Sequence, residues 1–207
     1  MGAELGELHF LLWKDLTWLH SEWQEYRELF GTNAERVALM NRAAPRFFWS
    51  LERVLWQDTL LGISRLCDPS GTAGQRNVTM RRLPRLVVPE LRTILEEELN
   101  EFESKAAFAR EWRHKRYAHR EERHAAAPET HQLPFASRQR VSDALAAASK
   151  VMNRVELHYH NMTTGYEHAG GAGGGGAYSL LRVLDAGLLL DEQRKSRGEG
   201  PARPRFV

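Results

Sequence analysis

The sequence predicts an all-α protein, an antiparallel bundle of long helices with short extra ones, on three observations. Apolar residues recur at three- and four-residue steps through four long stretches. Two-residue alternation never holds for more than a few positions, so strands are not expected. Clusters of glycine and proline, and capping residues, fall between the periodic stretches.

Residues 5–30 give the first helix, with Leu8, Leu11, Leu12, Leu16, Leu19, Trp23 and Tyr26 on one face. Gly31 stops it, and Thr32 or Asn33 caps a short helix over 34–42. Pro45 suits the first turn of a helix over 45–67 that is apolar on most sides, the signature of a central helix. Its polar exceptions, Asp58 and Arg65, lie seven residues apart and share a face, with Gly62 between them. They read either as an internal ion pair or as partners of a functional site.

Asp68-Pro69-Ser70-Gly71-Thr72-Ala73-Gly74 reads as a loop. Asn77 or Thr79 caps a short basic helix carrying Arg81, Arg82 and Arg85 and broken at Pro84; these arginines read as a solvated face, with an RNA-backbone patch as the minority reading. From Glu90, just after Pro89, to about 119 runs a long helix with a core stripe of Leu91, Leu95, Leu99, Phe102, Ala106, Ala109 and Trp112, while Glu96-Glu97-Glu98 reads as a solvated face. Residues 120–136 read as a loop, and Ser137 caps a helix to about 162 along Val141, Leu145, Ala148, Val151, Met152, Val155 and Tyr159. A glycine-rich linker over 170–176 precedes a last helix over 177–190. Residues 1–191 are thus expected to form one domain and 192–207 a disordered tail.

An apolar share of 42% and a charged share of 27% are those of an ordinary soluble globular protein. The net charge of +2 gives no global polybasic field, so any nucleic-acid contact has to come from local clustering. The one cysteine, Cys67, cannot make an internal disulfide and reads as a buried small hydrophobe, which suits a reducing cytoplasm. No apolar run approaches the ~18 residues of a membrane helix, and Glu4, Glu7 and Asp15 near the start argue against a secretory signal. No membrane association and no cofactor are expected.

Metal and serine chemistry find little footing. His158 and His160 stand two apart and face apart on a helix, there is no His-Glu-x-x-His and no cysteine pair, and no serine sits in a strand-to-helix elbow. One segment does carry chemistry. Between 110 and 123 stand Arg110, Arg113, His114, Lys115, Arg116, His119, Arg120 and Arg123, against Glu111, Glu121 and Glu122. Arg113 follows Leu95 by eighteen residues, so in a regular α-helix of about five turns it points where Leu95 points. Arginine offers a planar fork to phosphate oxygens, and histidine titrates near working pH. RNA transesterification needs a base for the 2′-hydroxyl, an acid for the leaving 5′-oxygen and a cation for the phosphorus-bound charge. Two copies of the segment facing each other supply two histidines.

At Arg113, polar His114 and His119 the sequence resembles the HEPN superfamily, marked by an arginine, a polar residue and a following histidine on a helix. It is most similar to the abortive-infection AbiU-type HEPN family. Three further stretches carry that resemblance: Leu55 to Pro69, Asn77-Val78-Thr79 ahead of Arg82-Leu83, and the glycine-rich run into Ala177-Tyr178-Ser179-Leu180-Leu181. The resemblance implies a helical bundle, a homodimer that joins two motifs, and metal-independent RNA cleavage to a 2′,3′-cyclic phosphate in phage defence or as a toxin. It implies Arg113 as the phosphate holder and His119 as general base or acid. His114 stands where many relatives carry Asn or Asp, and Arg116 is the alternative phosphate holder. Tyr117 would be a modification site if the partner were a nucleotidyltransferase; an antitoxin is the other expected partner besides RNA. In the alternative, a non-catalytic RNA- or nucleotide-binding or dimeric scaffold domain, Arg113 and His119 are tied into salt bridges within one subunit and line no cleft.

Overall fold

The computed structural model describes residues 1–31, 33–118, 134–169 and 175–200, with the side chains of 116–118 outside that description. The fold class is as expected, all-α. The long helices are α1 (Ala3–Tyr26), α3 (Pro45–Leu66), α5 (Pro89–Trp112), α6 (Arg138–His160) and α7 (Ala177–Ser196), with the shorter α2 (Ala34–Ala43) and α4 (Leu83–Leu86) between them. The helix starts are written locally. The Asn33 side chain accepts from the Glu35 amide at 2.7 Å, Ser137 accepts from the Arg140 amide at 3.2 Å, and Pro45 and Pro89 occupy first turns where no amide is needed. Asn161, with φ 51°, closes α6 in the left-handed region that Asn tolerates.

Helix α5 packs on α6 and α3, and α1 packs on α3 and α6. The expected stripes of α5 and α6 form the core between them: Leu95, Phe102, Ala106 and Ala109 meet Val141, Leu145, Ala148, Val151 and Val155, all fully buried or nearly so. Burial of a side chain such as Leu95 or Phe102 stabilises by roughly 1.5–3 kcal/mol. A Cβ on Gly62 would stand 2.7 Å from a Leu19 methyl, so α1 and α3 approach closely there. A second, smaller cluster of Leu29, Met40, Phe48, Ala177 and Leu181 seats α7 on α2 and the start of α3.

Several expectations need correction. The first half of α3 is not central: Phe47, Trp49 and Val54 are exposed, because one face of that half packs on the small cluster and nothing described covers the other. The 68–77 loop contains a hairpin of two-residue strands, β1 (Gly71–Thr72) and β2 (Gln75–Arg76), turned at Ala73 and Gly74, both with positive φ. Strands that short leave no alternation to read. Pro84 starts α4 instead of breaking a helix. Glu98 is buried and receives the Arg154 fork at 2.6–3.2 Å, so only Glu96 and Glu97 face water. The last helix extends to Ser196, five residues into the expected tail, with Arg42 paired to Glu192 at 2.6 Å. Most of the expected 120–136 loop, residues 120–133, lies outside the described residues, as do 170–174 of the linker and 201–207 of the tail.

Candidate active site

The regular α-helix ends at Trp112, and Arg113–Ala118 continue it as a widened π-helical turn. Such turns are rare and recur at functional sites. The expectation of α-helix through 119 is corrected accordingly: the eighteen-residue register from Leu95 holds only up to the first residue of the motif. The Trp112 indole donates to the Pro134 carbonyl at 2.8 Å and fixes the entry to the widened turn.

Arg113 is half buried. Its Nη1 donates to Asp68 Oδ1 at 2.5 Å, with the two side chains 35% and 26% exposed. With the described residues this is the only hydrogen bond of the guanidinium. His114 is exposed, and Lys115 pairs with Glu111 at 3.3 Å. The side chains of Arg116 and Tyr117, and the whole of His119, lie outside the described residues.

Asp68 is held by its own backbone. The buried Thr79 hydroxyl lies 2.9 Å from the Leu66 carbonyl and 2.8 Å from the Asp68 carbonyl, and donates to that pair. The Asn77 side chain donates to the Pro69 carbonyl at 2.9 Å and to the Thr72 hydroxyl at 2.8 Å, and its amide donates to the Ser70 carbonyl. Thr79, read as a helix cap, does accept from the Arg81 amide at 3.4 Å, yet its main task is to fasten the end of α3 to the loop that carries Asp68. Sequence reasoning missed Asp68 because it looked like loop punctuation; its proximity to Arg113 is tertiary. The one signal was its place directly after the end of the apolar helix.

Asp58 and Arg65 do not form an ion pair with each other among the described residues. They line a cavity of about 130 Å³ against α1, shared with Asp15, Trp18 and Glu22 and not with Arg113. Burial, with Asp58 close by and hydrogen-bonded to it, pushes the Glu22 carboxyl up to about 7. The partner that reaches Arg113 from the end of α3 is thus Asp68. Cys67 is 1% exposed, and burial pushes its thiol up to about 12, as suits an inert core residue. A cleft of about 690 Å³ between α1 and α6 contains a pair unseen in the sequence, His20 Nε2 and Ser149 Oγ at 2.9 Å, but Arg113 does not line it. Among the described residues no group of three or more His, Cys, Asp or Glu side chains is placed to hold a metal ion, and no helix is long and apolar enough to cross a membrane.

The all-α bundle, with Arg113 and His114 directly after the end of its long α5, agrees with the resemblance to HEPN domains drawn from the sequence. The family model HEPN_AbiU2, described as AbiU2, matches residues 2–172, and the chain belongs to that abortive-infection HEPN family. The matched span stops before the Ala177–Leu181 run and α7. Comparison with curated proteins and with solved structures finds no match.

Proposed function

We propose that this chain is a metal-independent endoribonuclease of HEPN type, in which Arg113 holds the scissile phosphate and His119 acts as general base or acid. The observation that carries the reading is the state of Arg113: a half-buried guanidinium at the mouth of a widened helical turn, oriented through one nitrogen by Asp68. A guanidinium has five N–H donors in a rigid fork, so one bond to Asp68 orients the group and leaves a face for two phosphate oxygens. A pair this exposed contributes about 0–1 kcal/mol, so phosphate can compete for the arginine without unfolding the loop. The arginine supplies the cation and the histidine the proton transfers, which is the minimum that transesterification asks. A second copy, forming a homodimer, supplies the second histidine. RNA is the substrate, phage defence or toxicity the setting in the cytoplasm, and an antitoxin or a nucleotidyltransferase acting on Tyr117 the further partner.

The second reading, a non-catalytic RNA- or nucleotide-binding or scaffold domain, is favoured by the same ion pair: Arg113 is engaged within its own chain, which is half of what that reading expects. Substrate chemistry separates the two. A single 2′-deoxy substitution at a mapped cleavage position should abolish cutting there while the neighbouring sites are still cut, and the all-ribose products should end in a 2′,3′-cyclic phosphate. Cutting that persists through the 2′-deoxy position would rule out attack by the 2′-hydroxyl.

A further inference from the structure

Three arginines near the hairpin have different fates. Arg81 is spent: its fork closes on both oxygens of Glu103 at 2.7 and 2.8 Å. Arg82 and Arg85 instead line a hollow of about 310 Å³ with Arg76 of β2, Ser70 and Glu4. A single carboxylate oxygen there serves two guanidinium groups: Glu4 Oε1 accepts from Arg76 Nη1 at 2.6 Å and from Arg82 Nη2 at 3.2 Å. Arg82 also donates to the Asn77 carbonyl at 3.2 Å, which fixes it. Arg85 makes no hydrogen bond or ion pair with the described residues. Three cations thus face one anion, on a chain whose overall charge is only +2.

We propose that this hollow binds the phosphodiester backbone of single-stranded RNA beside the Arg113 position. The proposal rests on the reading of the chain as a protein that acts on RNA, and extends it to residues outside the Arg113–His119 segment. Planar guanidinium forks converging on one hollow suit the non-bridging oxygens of a phosphate, and the one carboxylate present already shows where such an anion sits. Position argues for RNA over an isolated anion. Ser70 on the rim is two residues from Asp68, the partner of Arg113, so their Cα atoms are at most about 7 Å apart. The hairpin keeps that relation rigid: its register pairs Gly71 with Arg76, and the Asn77 side chain ties the loop across its base. A chain whose scissile phosphate meets Arg113 thereby passes a second cationic seat on the same loop. Glu4, 52% exposed, acts as a resident counter-ion that the phosphate relieves.

The test measures binding of a 5′-labelled single-stranded RNA by fluorescence anisotropy over a salt series, in a His119→Ala background so that the RNA is not cut. Arg76→Ala and Arg85→Ala should each weaken binding and lower the slope of log K against log salt by about 0.7, the share of one phosphate contact on a single strand. Arg81→Ala should leave both unchanged. Glu4→Gln should tighten binding, a gain that a damaged fold does not produce. Competition separates the sources of the anion: inorganic phosphate should displace the RNA only weakly, whereas equal displacement by inorganic phosphate or by poly-glutamate would overturn the assignment to RNA backbone. Unchanged affinity and slope in both arginine variants, with RNA still bound, would overturn the hollow alone and leave the nuclease reading standing. No RNA binding by any variant would overturn both.

Discussion

Arg113→Ala is expected to lower RNA cleavage by about 100- to 1,000-fold, the usual loss when one preorganised donor to a developing oxyanion is removed. The fold should survive, since the pair that Arg113 makes with Asp68 is half exposed and contributes about 0–1 kcal/mol. Arg113→Lys should recover part of the rate, because it restores the charge but not the two-pronged fork. Initial rates on a fixed RNA, beside thermal melts of each variant, check this. Rates equal to wild type in Arg113→Ala would return Arg113 to the role the scaffold reading gives it, an ion pair that fastens the end of α5 to the 68–77 loop.

The second large effect is expected at a residue that touches no substrate. Thr79 is fully buried, and its hydroxyl serves the Leu66 and Asp68 carbonyls together. Thr79→Val keeps the volume and removes the donor, so buried carbonyl oxygens lose their partner at a cost of about 1–3 kcal/mol. The loop that presents Asp68 loosens, and with it the setting of Arg113. Lower thermal stability and lower cleavage should appear together in Thr79→Val and both should recover in Thr79→Ser. If cleavage stays at the wild-type rate while stability falls, Thr79 supports the fold only.

What the sequence displays and what it hides follow one physical line. The stripes of α5 and α6 were readable because a helix repeats its buried face every three or four residues, and Leu95, Phe102, Leu145 and Val155 obey that repeat. Asn33, Pro45 and Ser137 were readable because capping is local chemistry. Asp68 was not, since it meets Arg113 across forty-five residues of chain. Glu98 was not, since its burial depends on Arg154 of another helix. The exposed face of α3 was misread because an apolar helix looks the same whether its outer side is covered or bare. The widened turn at Arg113–Ala118 leaves no residue signature of its own, so the motif could be found in the sequence but not its local geometry.

The Arg113–His119 segment is proposed to cut RNA with an arginine and a histidine and without a metal ion. The most direct test incubates the purified chain with structured RNA in excess EDTA, wild type beside His119→Ala. The account predicts cleavage by wild type that the chelator does not slow and a loss of at least about 100-fold in the variant. Intact RNA at micromolar protein, with wild type indistinguishable from His119→Ala, would contradict it.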